Sequence, residues 1–252
     1  MTTKQFSEEG FRWFVGVVED RNDPEKRGRV RVRIFGIHED SKTLVPTDSL
    51  PWAPLLMPPM SASVKQVGIS PTGLQEGSTV VGFFLDGNET TMPVVFGVMP
   101  GKGDVSQLAA GQPLLNKERV GPEPPSAFRA QYPYNKVVQT ESGHVFEVDD
   151  TPNFQRIHTY HRSGTYQEID VKGDRVSKIV GDDYEIVVKN KTVFVKGNVN
   201  IQVQGNVTLT SPTTNIKGNV NIDGTLTLDG IVMNSHTHGG VRAGGDSTSG
   251  PQ

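Results

Sequence analysis

The feature that most limits how this chain can fold is a repeat of eight residues in its second half. Gly173, Gly181, Gly197 and Gly205 fall on that period, with Lys189 in the one slot that lacks glycine. Two places before each slot stand Val171, Ile179, Val187, Val195 and Val203, and one place after stand Asp174, Asp182, Asn190, Asn198 and Asn206. Glycine permits a bend with positive φ, and Asp or Asn bonds locally to the backbone of a turn. Between the bends the chain alternates, with Val199, Ile201 and Val203 separated by Asn200 and Gln202. Period two is the period of a strand. After Ser211-Pro212-Thr213-Thr214 the aliphatics move to even positions, Ile216, Val220, Ile222, Leu226 and Leu228, and glycines recur six apart at Gly218, Gly224 and Gly230. A one-residue slip turns every side chain to the opposite face, so an irregular turn is expected at 211–214, keeping the interior apolar on both sides.

Such short repeats leave two architectures. A single-chain β-helix needs about 18 residues per coil, so the tract from Gln167 to Val232 would give few coils and little core. Three chains wound together need only a short strand per repeat from each. The sheet edges then vanish, and a thin interior is filled by aliphatics from all three chains. A lone chain of this kind lacks the core to be stable, so the second architecture is expected. Its interior would be Val171, Ile179, Val187, Val195, Val203, Ile216, Ile222 and Leu228, and its turns Gly173, Gly181, Gly197, Gly205, Gly218 and Gly224.

The first part of the chain reads differently. Arg29-Val30-Arg31-Val32-Arg33-Ile34 alternates strictly, as a strand with one buried and one solvated face does. The apolar runs Thr79–Leu85 and Pro93–Val98 are joined by Asp86-Gly87-Asn88, a hairpin signal. Several short strands without helical periodicity fit a small OB-type barrel over residues 1–99. Residues 100–136, rich in Gly and Pro, read as an extended linker, too short to bury an enzyme core. Residues 137–234 are expected to form the shaft and 235–252 its tip. The chain contains 28 Gly and 17 Pro, which disfavours a helical bundle, so the fold class is all-β. It has no cysteine, hence no disulfide, thiolate metal site or cysteine nucleophile. Its polar start is not that of a signal peptide, and no apolar run is long enough for a membrane span. A formal net charge of −3 argues against general affinity for nucleic acid.

At the tip, His236 and His238 lie two apart, on one face of an extended segment. One pair is a weak metal site. On a threefold axis, three pairs supply six imidazoles, enough for an octahedral centre that suits Fe²⁺, Co²⁺ or Ni²⁺ better than Zn²⁺. His38, His144, His158 and His161 show no comparable constellation, and the last two read as surface or interface residues.

These features together resemble a known family. Val17-Val18, Asp23-Pro24, Gly28 through Val32, Pro51-Trp52-Ala53, Gly87-Asn88 and Pro93-Val94-Val95 resemble the N-terminal OB domain of the central spike proteins of contractile-tailed phage baseplates, T4-like and P2-like. The Val-x-Gly repeat resembles their intertwined triple-stranded β-helix, and His236-Thr237-His238-Gly239-Gly240 their metal-capped apex. T4-like spikes carry a lysozyme domain between barrel and helix, where this chain has only the linker, so no muramidase activity is carried over. The resemblance implies a homotrimeric, non-enzymatic needle in the virion's tail baseplate, assembled in the host cytoplasm. Its barrels would sit on hub proteins, and one octahedral iron per trimer would cap the point. Contraction would drive it through the host outer membrane. A spike of a related secretion or tailocin apparatus fits the same features.

Two other functions were weighed. A polysaccharide-cleaving β-helix needs paired carboxylates, but Asp149-Asp150 and Asp182-Asp183 are neighbours that point to opposite faces and read as solvated or turn acids. A hydrolase at His236 and His238 would have no open position on a six-coordinate metal. Single-strand binding could use Arg21, Arg27, Arg29, Arg31 and Arg33, but it also needs stacking aromatics, and Phe11, Trp13 and Phe14 read as core. The arginines read as a solvated face or a protein interface, so no nucleic-acid partner is expected.

Overall fold

The structure, a computed structural model, describes residues 11–65, 67–101 and 123–237. It divides into two units, residues 1–186 and 187–252. The first unit opens with strands β1 (Trp13–Asp20), β2 (Val30–Ile34), β3 (Trp52–Ala53), β4 (Thr79–Phe84) and β5 (Pro93–Val98). They form one antiparallel sheet in the order β3-β2-β1-β4-β5. A bridge from Leu55 to Val95 joins the chain just past β3 to β5, closing the sheet on itself as a barrel. The core comes from alternate positions: Phe14 and Val18, Val30, Val32 and Ile34, Val80 and Phe84, with Ala53 and Val95. Gly82 takes an inward position that no larger residue fits, since a Cβ there would lie 2.2 Å from both the Phe14 ring and the Val94 carbonyl oxygen.

The loop between β1 and β2 is built on Asp23. Its buried carboxylate accepts the N–H groups of Glu25, Arg27 and Arg29 at 3.0, 2.9 and 3.2 Å, and the Arg29 guanidinium at 2.7 and 3.1 Å. The Arg29 bonds, followed by the backbone bonds, outweigh burial and hold this carboxyl far below the usual range. The solvated face expected for β2 is only partly so. Arg33 is buried, donating to Glu19 at 2.8 and 3.0 Å and to the Val45 carbonyl at 2.8 Å. Alternation marked its side of the strand, but the 35–50 loop covers that side.

The unit continues as a five-stranded antiparallel meander: β6 (Asn135–Gln139), β7 (Val145–Asp149), β8 (Arg156–Tyr160), β9 (Tyr166–Ile169) and β10 (Arg175–Lys178). Each strand pairs with its neighbour in sequence, and Gly143, Gly164 and Gly173 turn the chain with φ of +88°, +97° and +85°. This departs from the sequence expectation of wound shaft from residue 137, because residues 135–178 pair within their own chain. The described end of the expected linker is likewise docked. From Glu123 to Tyr134 it runs across the strands, from β10 to β6, bonding in turn to Lys178 and Tyr166, Glu168, Thr151 and Asp150.

The second unit is extended chain with bends at 188–189, 196–197 and 204–205, and again at 218 and 223–224. Gly218 and Gly224 have φ of +132° and +142°, whereas Gly181, Gly197 and Gly205 do not use the left-handed region. The bend at Lys189 explains why, since a residue with a Cβ makes the same turn there. Strands β11 (Thr227–Leu228) and β12 (Ile231–Val232) form a hairpin on Asp229 and Gly230, both at positive φ (47° and 79°) as a type I′ turn requires.

Candidate functional site

The hairpin leads directly to the first of the two tip histidines. Met233 N–H donates to the Leu226 carbonyl at 2.8 Å, and the Asn234 amide donates to the Gly224 carbonyl at 3.2 Å. His236 Nδ1 lies 2.8 Å from the Met233 carbonyl oxygen. A carbonyl only accepts, so Nδ1 carries the proton and the lone pair is on Nε2. Metal-binding imidazoles characteristically hold this state through a backbone carbonyl. His238 lies outside the described residues. Among the described residues no three His, Cys, Asp or Glu side chains gather as a metal site.

All eight aliphatics assigned to the shaft interior are exposed within the single chain, from 41% at Ile179 to 69% at Ile216. No described residue from 187 to 237 is buried. At the phase change, Ser211 Oγ and Thr214 Oγ1 bond to one another at 2.9 Å across a bend at Pro212.

The meander turns a charged face inward, and its outer face interleaves aliphatics with Lys136, Thr159, Gln167 and Arg175. One face carries the cross-strand rows Asn135, Asp149, Arg156 and Glu147, His158, Glu168, and all six residues are buried. Arg156 lies between two carboxylates, 2.7 Å from Glu168 and in contact with Glu147. Its guanidinium sits 4.9 Å from the centre of the Phe128 ring on the crossing segment. Ser126 Oγ and the Ala127 N–H also donate to Glu168, at 2.8 and 2.9 Å. For Glu147, burial pushes the carboxyl up, but His158, the Arg156 charge and Asn135 outweigh it; for Glu168, Ala127, Arg156 and Ser126 do the same. Both carboxyls are held below the ordinary value. The opposite face carries Val148, Ile157 and Ile169 in one row and Val138 and Phe146 in the next, with Val138, Phe146 and Ile157 exposed.

This network was not legible as a site. His158, read as a surface or interface residue, is buried, and so is Asp149, whose carboxylate holds the Thr151 N–H and hydroxyl at 2.9 and 2.6 Å. Glu-x-Asp at 147–149 and Arg-x-His at 156–158 carry the strand period in polar residues, the one signal that could have shown a polar inner face. The network is sealed against substrate. A nearby cavity of about 150 Å³, lined by Ala127, Arg129, Phe154, Gln155 and Val171, falls short of the roughly 300–1,000 Å³ of ligand pockets.

The barrel's arginines are engaged by acids: Arg29 with Asp23, Arg31 with Asp48 at 2.8 Å, Arg33 with Glu19, Arg27 with Glu25 and Arg21 with Glu141. Arg31 also stacks on Trp52 at 4.6 Å. Phe11 and Trp13 are not core. Inward positions on β1 belong to Phe14 and Val18, which puts Trp13 on the outer face at 56% exposure. It clusters there with Phe11, Phe83 and Phe96, at centroid distances of 5.0, 5.9 and 6.0 Å.

Comparison with known proteins gives these features a context. Residues 36–111 match the Gp5 N-terminal OB domain and residues 230–252 the GpV apex motif. Protein Gp5 of Vibrio phage KVP40 is 34% identical over 274 aligned residues, covering 79% of this chain and 65% of that protein. The pre-baseplate central spike protein Gp5 of Enterobacteria phage T4 is 49% identical over 79 residues, 29% of this chain and 14% of its own length. The chain therefore spans less than two thirds of the length of these relatives. With a match to the OB domain followed by a match to the apex motif along an all-β chain, it is similar to the Gp5 baseplate spike proteins of phages.

Proposed function

We propose that the chain is the structural spike of a contractile phage tail, a homotrimer in the virion baseplate that is driven through the host outer membrane. The observation that carries this reading is the exposure of every described residue from 187 to 237 although aliphatics recur there at strand period. Burial of such surface stabilises by about 25 cal/mol per Å², which only other copies can supply where the chain has no second layer. The exposed Val138, Phe146 and Ile157 on the outer face of the meander fit the same partners. The barrel end attaches to baseplate hub proteins, and assembly takes place in the host cytoplasm.

At the point, three His236–His238 pairs hold one octahedral metal ion; the donor set suits Fe²⁺, Co²⁺ or Ni²⁺, and the resemblance to phage spikes makes it iron. The Nδ1–H state of His236 supports its use as a ligand, and a ligated ion would fix three chain ends at one place. No catalytic step is assigned. The match to the Vibrio phage protein runs over 274 residues, more than the 252 of this chain, so that relative carries residues inside the match that this chain lacks. Native mass spectrometry of the purified full chain, with elemental analysis, tests the reading. A trimer with one metal per three chains is expected, and a folded monomer at micromolar concentration overturns it.

A further inference from the structure

The shaft's charge is distributed unevenly along its length. Residues 179–196, which follow the meander, carry six charged side chains, whereas residues 198–216 carry no Asp, Glu, Lys, Arg or His. In that stretch every second residue from Asn198 to Thr210 is an amide or a hydroxyl, and all nineteen residues are exposed in the chain. Charge returns at Lys217, Asp223 and Asp229. Solvation in water does not call for such a gap, because an exposed strand face accepts charged residues freely.

We propose that residues 198–216 are the part of the shaft that lies within the hydrocarbon layer of the host membrane when the spike is through it; this rests on the piercing function proposed above. A charged side chain is strongly disfavoured in hydrocarbon, and in a threefold assembly each one counts three times. Amides and hydroxyls lose less on leaving water and can bond to one another along the shaft, as Ser211 and Thr214 already do. A neutral surface also forms no ion pairs with anionic headgroups, so it passes them without being held. The length fits. Nineteen residues cover a hydrocarbon layer of about 30 Å if each advances roughly 1.6 Å along the axis, half the rise of about 3.3 Å of a strand aligned with it. Inclined strands therefore suffice, and Lys217, Asp223 and Asp229 emerge on the far side.

The test uses the full chain tethered to a force-microscope cantilever and pressed through a supported phosphatidylcholine bilayer. Asn200→Asp with Gln204→Glu adds two charges per chain without changing shape. Asn190→Asp with Thr192→Glu adds the same number in the charged zone. At constant force the first variant should cross at least tenfold more slowly than the unsubstituted chain, and the second at an unchanged rate. Thr208→Glu, a single charge, should slow crossing in the same direction, and it serves if the double variant fails to assemble. Crossing by the charged-gap variants at the original rate, or equal slowing by both double variants, overturns this inference alone. An unsubstituted chain that does not cross overturns the piercing function and this inference with it.

Discussion

Arg156 offers the sharpest test of how the meander is held together. Its side chain is about 1% exposed and lies between Glu147 and Glu168, themselves about 6% and 5% exposed. Arg156→Met leaves both carboxylates buried without their cation, and breaking a buried ion network from one side costs about 3–5 kcal/mol. The same change removes the stacking of the guanidinium on Phe128, so the loss falls where the segment 123–134 crosses the sheet. Hydrogen exchange reads it there, at the Ala127 and Gln131 amides, which donate to Glu168 and Thr151. At 1.36 kcal/mol per decade, exchange should quicken by roughly a hundredfold to a few thousandfold. Adding Glu147→Gln and Glu168→Gln to Arg156→Met removes the stranded charges while keeping their shapes, and should bring exchange back to within about tenfold of the original. If Arg156→Met leaves those amides as protected as before, or if the triple variant is no better than the single, the network is not what holds the segment down. The pH dependence has a definite sign. Both carboxyls are held below their ordinary value of 4.5, so their contribution is fully present above that value and is lost as pH falls through the lowered ones.

Gly82→Ala should lower barrel stability by about 3 kcal/mol, because the clash is with the Val94 backbone as well as the Phe14 ring; an unchanged urea midpoint by Trp52 fluorescence would contradict it. Arg33 and then Thr47 outweigh burial at Glu19 and lower its carboxyl to about 2, so its stabilisation is present above the ordinary value near 4.5 and fades as pH falls through about 2. Glu19→Gln should flatten that acid limb in a pH series of unfolding midpoints. In the shaft, Val195→Asp should prevent trimer formation by setting three unpartnered like charges together, while Asn198→Asp should leave sedimentation unchanged. His236→Ala with His238→Ala should abolish the metal in elemental analysis and preserve the trimer. In the unsubstituted trimer, acidification should release the ion, since only the neutral ring ligates.

The barrel was legible because its strands bury one face against their own chain. Val30, Val32 and Ile34 alternate with arginines, and the same three are buried. What alternation could not show is what lies over the other face. Arg33 and Trp13 both occupy outward positions, yet Arg33 is covered by the 35–50 loop, while Trp13 meets only other surface aromatics and stays exposed. The meander escaped notice for a related reason. Its inner face is polar and bonded across strands and to the crossing segment, so apolar periodicity points to the wrong side of the sheet. The tip pair was visible from spacing alone, but the bond from His236 to the Met233 carbonyl depends on the Asp229-Gly230 hairpin, which brings the chain back just before it.

The repeat separates alternation from burial most directly. Period two in a sequence records that one face of a strand avoids water, without saying whose atoms cover it. In β2 the covering atoms belong to the same chain, so the apolar phase, Val30, Val32 and Ile34, is buried throughout. From Val199 to Leu228 the period is as strict, yet Val203 and Ile222 both remain about half exposed. A solvated strand has no need of such regularity, and an unstructured one would not keep it across a change of phase at 211–214. The alternation therefore carries information about neighbours that the single chain does not contain. It is the disagreement between strict period and absent burial, rather than either alone, that points to assembly.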